Sequence, residues 1–123
     1  MLKIGLDIHK TIDAKPQFFA KFSQRSRANG HTIVIITGSM KTTEIENELA
    51  ELGIEYDDFF SVSDFLLAKG KATHWSSPND PWFKAEDWNR AKADYCRENQ
   101  IDIHFDDSDE YGKYFTTLFV KVV

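Results

Sequence analysis

The stretch LKIGLDIHKT, residues 2–11, decides the fold of this chain. Its first part, Leu2–Leu6, is a short apolar run, and Asp7 closes that run with a charged side chain. A short apolar run that ends at polar residues is typical of a buried β-strand. In a parallel sheet Asp7 would then lie beyond the carboxyl end of a strand, which is where such sheets bind ligands.

Strand-like and helix-like segments alternate along the rest of the chain. The predicted strands are Leu2–Leu6, Thr32–Ile36, Asp58–Val62, Ile101–Phe105 and Thr117–Val122. The predicted helices are about Pro16–Asn29, Ser63–Lys69 and about Asp87–Asn99. Another predicted helix opens with the capping-box pair Thr43 and Glu46 and ends at Gly53. This alternation predicts an α/β fold, a Rossmann-like three-layer sandwich with a central, mainly parallel five-stranded sheet.

The chain has 123 residues, which is close to the common size of one domain. We therefore expect a single domain over residues 1–123. The segment at about 70–84 resists a periodic interpretation because it combines Pro78 and Pro81 with Trp75 and Trp82. We predict a small aromatic hairpin or loop excursion there, which is a candidate lid.

The formal net charge is −5, which argues against general nucleic-acid binding because that rests on excess Lys and Arg. No apolar run approaches membrane-spanning length, and residues 1–6 are too short for a secretory signal, so we expect no membrane partner and a cytoplasmic location. The single cysteine, Cys96, excludes an intrachain disulfide and makes a cysteine-based zinc site implausible. The oligomeric state is left open.

Three groups of polar residues follow predicted strands. Asp7 follows the first strand, Thr37-Gly38-Ser39 follows the second, and Asp106-Asp107 follows the fourth. Clustered carboxylates suit a hard ion such as Mg²⁺, and free backbone N–H groups at Gly38 and Ser39 ahead of a helix suit a phosphate. An aspartate that faces both could attack phosphorus and form an aspartyl-phosphate.

In these residues the chain resembles the haloacid dehalogenase (HAD-like) superfamily. Its phosphatases carry D-x-D-x-[TV] after the first strand, Thr or Ser after the second, Lys before the fourth and an acidic pair after it. The matching residues here are Asp7, His9 and Thr11 of the first motif, Thr37, Lys92, and Asp106-Asp107. The resemblance covers nearly the whole chain and implies that the first strand is central, between the second and the fourth.

The resemblance also implies a set of roles. Asp7 would be the nucleophile, Thr37 and Lys92 would hold the phosphoryl group, and Thr11, Gly38 and Ser39 would line the substrate site. The cofactor would be Mg²⁺, held by Asp7, the backbone carbonyl of His9, Asp107 and, beside it, Asp106.

Two positions leave alternatives open. His9 stands where the family has its second Asp, the general acid/base. A histidine could take over this role because it exchanges protons near neutral pH. Alternatively, the lineage could have lost catalytic turnover. Lys84 competes with Lys92 for the phosphate, since it lies at the start of the same predicted helix.

The sequence thus predicts a Mg²⁺-dependent phosphomonoester hydrolase with little or no cap, acting on a small phosphorylated substrate such as a nucleotide. The alternative is a catalytically impaired module that still binds a phosphate or a nucleotide.

Overall fold

A five-stranded sheet is the centre of the structure, which is a computed structural model that describes residues 1–123. The strands are β1 (Lys3–Leu6), β2 (Thr32–Thr37), β3 (Asp58–Ser61), β4 (His74–Ser77), β5 (Asp80–Trp82), β6 (Ile103–Asp106) and β7 (Leu118–Lys121). The helices are α1 (Pro16–Ala28), α2 (Thr43–Glu51), α3 (Val62–Ala68), α4 (Ala85–Glu98) and α5 (Asp109–Gly112). None of them combines the length and the apolar composition that a membrane crossing requires.

The strand order of the central sheet is β3-β2-β1-β6-β7, and every neighbouring pair is parallel. The prediction of an α/β fold with a five-stranded parallel sheet is therefore confirmed. β1 lies between β2 and β6, the strand predicted as the fourth, so Leu6 pairs with both Ile35 and Phe105. Because parallel strands end at the same edge, the residues after β1, β2 and β6 meet at one side of the sheet.

Helices cover both faces of the sheet, as the alternation of side chains in β2 shows. Ile33 and Ile35 belong to a core cluster with Phe19 of α1 and Leu49 of α2. Val34 and Ile36 point to the opposite face, where they share a cluster with Cys96 of α4. A strand that is apolar on both faces is typical of a parallel sheet between two helical layers.

The element boundaries differ from the prediction in several places. Thr42, not Thr43, caps α2, because its hydroxyl accepts the N–H of Ile45 at 3.2 Å. The aromatic excursion is a two-stranded antiparallel hairpin formed by β4 and β5, which is the first of the two predicted alternatives. Directly after β1 the chain forms a π-helical turn, Ile8–Ile12, which the sequence pattern does not predict. Lys10 in this turn has a φ of 59°, in the left-handed region.

Phe18 and Phe19 offer a matched test of the core, because they are adjacent and differ mainly in burial. Phe19 is 1% exposed and packs edge-on against Phe105, whereas Phe18 is 55% exposed. We expect Phe19→Ala to lower the free energy of unfolding by about 3–5 kcal/mol, since it leaves a cavity between α1 and the sheet. Phe18→Ala should cost less than about 1 kcal/mol. Urea unfolding measures both, and similar losses would contradict this assignment of the core.

Candidate active site

A buried lysine lies between two buried carboxylates at the carboxyl edge of the sheet. Lys92 Nζ donates to Asp7 Oδ1 at 2.9 Å and to Asp106 Oδ2 at 2.8 Å. Asp7 directly follows β1, and Asp106 is the last residue of β6. These strands are neighbours, so one ammonium group can reach both carboxylates.

The sequence of α4 explains how Lys92 reaches this position. Ala91, Ala93 and Cys96 are small and buried, which lets the helix pack closely on the sheet. Lysine side chains on a helix lean toward its N-terminus, and here that direction brings the ammonium group to the strand ends. Burial raises the pKa of the Cys96 thiol to about 12, so this cysteine is a packing residue rather than a nucleophile.

The two carboxylates compete for a single ammonium group. Burial, together with the charge of Asp106, raises the pKa of Asp7 to about 7, although Lys92 acts in the opposite direction. Burial also opposes ionisation of Asp106, but hydrogen bonds from His104 and Lys92 outweigh it and hold the pKa of Asp106 below its usual range. Burial opposes the charge of Lys92 too, yet the two carboxylates raise its pKa above the ordinary value. The negative charge of Asp7 is therefore the one that Lys92 does not fully compensate.

Asp106 is fixed by three donors. Besides Lys92, His104 Nε2 donates to Asp106 Oδ2 at 2.9 Å, and the backbone N–H of Ser108 donates to Oδ1 at 3.2 Å. His104 is fully buried, and burial lowers its pKa, so the ring is a neutral donor. Gly5, its partner across β1 and β6, leaves room for the ring, because a Cβ there would lie 2.6 Å from His104 Nδ1. The buried His104 ring therefore holds Asp106 in position.

Three carboxylates provide a candidate metal centre. Oxygen atoms of Asp7, Asp106 and Asp107 all lie within 4.8 Å of one another. Because three hydrogen bonds already occupy Asp106, its half-buried neighbour Asp107 is the better direct ligand, together with Asp7. An all-oxygen set of this kind fits Mg²⁺. The backbone of His9 departs from helical geometry within the π-helical turn, and its carbonyl stays a predicted ligand.

The loop after β2 faces the carboxylates across the edge of the sheet. Gly38 and Ser39 line the cleft there, whereas Thr37 is fully buried and accepts the Ser39 N–H at 3.3 Å. A Cβ on Gly38 would lie 2.7 Å from the ring of Trp88, so this position needs glycine for close packing. Ser63 donates its hydroxyl to the Gly38 carbonyl at 2.6 Å, which holds the loop from the other side.

His9 lies at the exposed mouth of the cleft. Its Nε2 is 3.0 Å from Ser39 Oγ, and its Nδ1 is 3.5 Å from Asp13 Oδ2. Asp13 also accepts the N–H of Lys10 at 2.6 Å, so it connects the His9 ring to the turn after β1. Asp13 is not among the predicted site residues, although its spacing of four residues from His9 is a usable signal.

The remaining predicted residues separate into those inside and outside the cleft. Lys92 lines the cleft, whereas Lys84 is exposed at the N-cap of α4 and does not line it. Thr11 is fully buried behind Asp7, with its hydroxyl 3.4 Å from Asp7 Oδ2, and it does not line the cleft either. Of the two candidate lysines, only Lys92 therefore contacts the carboxylate group.

The cleft itself has a volume of about 860 Å³ and contains residues that sequence patterns did not reveal. The ring of Tyr111 lies 4.8 Å from Lys92 Nζ, and Trp88 Nε1 donates to the Tyr111 hydroxyl at 2.8 Å. Residues Asn79, Asp80 and Pro81 of the β4–β5 hairpin form part of the opposite rim. Trp88 packs against the core cluster of Val62, Leu66 and Ala91 and also forms a wall of the cleft beside the loop after β2.

No protein-family model matches the chain, and no curated protein or solved structure shows significant similarity to it. What the site can do chemically is therefore inferred from its own geometry. Two carboxylates share one lysine, a third carboxylate lies beside them, and the loop with Gly38 and Ser39 lines the cleft opposite them. This arrangement suits an anionic substrate together with a divalent cation.

Asp7 should make the stability of the metal-free protein depend on pH. Its pKa in the folded state is about 7, above the ordinary value of 3.8, so between these values the folded state holds a proton that the unfolded state releases. Titration of Asp7 should therefore lower the free energy of unfolding by on the order of 2–4 kcal/mol as the pH rises from about 4 to about 7. Asp7→Asn cannot titrate and should remove this part of the dependence. Urea unfolding in EDTA at several pH values measures it, and parallel profiles for the two proteins would contradict it.

Proposed function

We propose that this chain is a HAD-like, Mg²⁺-dependent phosphomonoester hydrolase that acts through an aspartyl-phosphate on Asp7. The observation that carries the proposal is the position of Lys92, whose ammonium group bridges the carboxylates at the ends of two neighbouring strands. The sequence motifs and the strand order agree with it, since the four motif positions lie at the carboxyl ends of β1, β2 and β6 or in α4.

The reaction would begin with attack of an Asp7 carboxylate oxygen on the phosphorus atom of the ester. The bond between phosphorus and the ester oxygen breaks, and that oxygen leaves as an alcohol with a proton from His9. Water then attacks the phosphorus of the aspartyl-phosphate and gives its proton to His9. The bond between phosphorus and Asp7 breaks, which releases inorganic phosphate and restores both residues.

The other residues of the site would hold the phosphoryl oxygens. Lys92 supplies a fixed positive charge, and Gly38 and Ser39 line the opposite rim. Asp7 and Asp107, with the His9 carbonyl, would hold the divalent cation. When bound, Mg²⁺ supplies the positive charge that keeps Asp7 ionised near neutral pH and balances the charge of the phosphoryl group.

Mg²⁺ binding gives the most direct test of the site. With Mg²⁺ in large excess over its dissociation constant, we expect the folded state to be stabilised by on the order of 2–3 kcal/mol relative to EDTA. Asp107→Asn should remove most of this gain. Asp109→Asn is the matched control, because Asp109 is exposed, pairs with Lys121 and does not line the cleft. Melting curves that coincide in EDTA and Mg²⁺ would refute the metal centre.

A panel of phosphomonoesters, assayed with and without Mg²⁺, separates the two functional hypotheses. The hydrolase should release phosphate only with Mg²⁺, and Asp7→Asn should release none. The second candidate, a phosphate-binding module without turnover, is favoured by one observation: His9 replaces the usual acid/base and is held against Ser39 at the mouth of the cleft. Stabilisation by Mg²⁺ and phosphate without hydrolysis of any ester would support that module.

The role of His9 can be tested with two kinds of leaving group. An alkyl phosphate needs a proton on its leaving oxygen, whereas an activated aryl phosphate needs little protonation. His9→Ala should therefore slow alkyl phosphates by about 10²–10⁴-fold and aryl phosphates much less. His9→Asp should keep activity and move the pH optimum, because a carboxyl group titrates at lower pH. Equal slowing of both esters by His9→Ala would show that His9 is not the acid/base.

A further inference from the structure

A second pocket of about 360 Å³ adjoins the main cleft, at the junction of the β4–β5 hairpin and α4. Its lining is largely apolar and consists of Asp80, Pro81, Trp82, Phe83, Ala85, Trp88 and Asn89. Three of these residues, Asp80, Pro81 and Trp88, also line the cleft, so the two spaces are adjacent and share a wall. The second pocket has no part in the reaction proposed above.

Trp82 forms an exposed but fixed aromatic surface in this pocket. Its side chain is 52% exposed, so burial in a core does not explain it. The ring of His74 stacks on it at 5.7 Å with an angle of 9° between the planes. Its Nε1–H donates to Ser76 Oγ at 3.1 Å, which fixes the rotation of the ring. A tryptophan held in this way is ready to stack on a flat ligand at little entropic cost.

The other wall of the pocket contacts the loop after β2, which contains Gly38 and Ser39. Phe83 and Trp88 are stacked at 5.7 Å with an interplanar angle of 15°. Trp88 in turn packs on Gly38 and donates to Tyr111, whose ring lies near Lys92. One aromatic side chain therefore borders both the place where a phosphoryl group would bind and the second pocket.

The polar groups of the pocket restrict what it can bind. No Lys or Arg lines it, so it does not suit a second phosphate or another anion. Asn89 offers an amide and Asp80 a carboxylate, which suit the polar edge of a heteroaromatic ring better than an alkyl chain. The rim between the two spaces is polar, with Asn79 and Asp80, and suits a hydroxylated spacer between phosphate and ring.

We propose that this second pocket, defined by Trp82, Phe83 and Trp88, binds the base of a nucleoside monophosphate whose phosphoryl group lies at Asp7 and Lys92. The inference rests on the proposed hydrolase function for its catalytic part and names the substrate class of that same site. Base stacking on aromatic side chains is sequence-tolerant, so the pocket accepts nucleobases as a class.

The test compares nucleoside 5′-monophosphates with ribose 5-phosphate, which has the same phosphate and sugar but no base. Trp82→Ala should lower kcat/KM for the nucleotides by about 5- to 100-fold, the usual effect of one lost base stack, and leave ribose 5-phosphate unchanged. Trp82→Phe should recover most of the loss. Trp75→Ala is the matched control, because Trp75 is on the same hairpin, is 49% exposed and lines neither space; it should change neither substrate.

A binding measurement separates failure of this inference from failure of the hydrolase proposal. In Asp7→Asn, which cannot form the aspartyl-phosphate, adenosine 5′-monophosphate should quench tryptophan fluorescence, and adding Trp82→Phe should remove most of that signal. Quenching without hydrolysis of any ester by the unchanged protein would sustain the base pocket and overturn the hydrolase. Hydrolysis of nucleotides and ribose 5-phosphate with equal kcat/KM, unaffected by Trp82→Ala, would overturn the base pocket alone.

Discussion

The contact of one lysine with two buried carboxylates organises the functional edge of this protein. Lys92 is buried on α4, and it stays charged because Asp7 and Asp106 surround its ammonium group. Removal of one member would leave an unpaired charge in a buried place, which costs several kcal/mol in most proteins. The same contact ties α4 to the ends of β1 and β6, so the position of the helix and the charge balance of the site depend on each other.

The site has more negative than positive charge. Asp106 accepts hydrogen bonds from Lys92, His104 and a backbone N–H, whereas burial, together with the charge of Asp106, raises the pKa of Asp7 to about 7. A carboxylate in this state gains from an added cation, and Asp107 lies beside it to complete the ligand set. The need of the site for positive charge and its proposed use of Mg²⁺ therefore have the same physical origin.

Trp88 connects the parts of the structure that surround the site. It packs against Gly38 of the loop after β2, stacks on Phe83 after the hairpin and donates to Tyr111. All three segments therefore contact the same indole ring, so a shift of one segment would alter the packing of the others. Trp88 also packs against the core cluster of Val62, Leu66 and Ala91; helical periodicity shows which face of α4 it is on but not what that face meets.

The sequence by itself determined the α/β class, the parallel sheet and the strand ends at which Asp7, Thr37 and Asp106 would lie. These follow from local patterns, since apolar runs form strands and parallel strands end at one edge. Only the tertiary structure decided between Lys92 and Lys84, because Lys92 and Asp7 are 85 residues apart and meet through the packing of α4. It also gave the contact of His9 with Ser39, 30 residues away, which no local pattern encodes. The aromatic pocket beside the cleft is lined by residues 80–89 alone, but its shape depends on how the β4–β5 hairpin meets α4, which periodicity does not show.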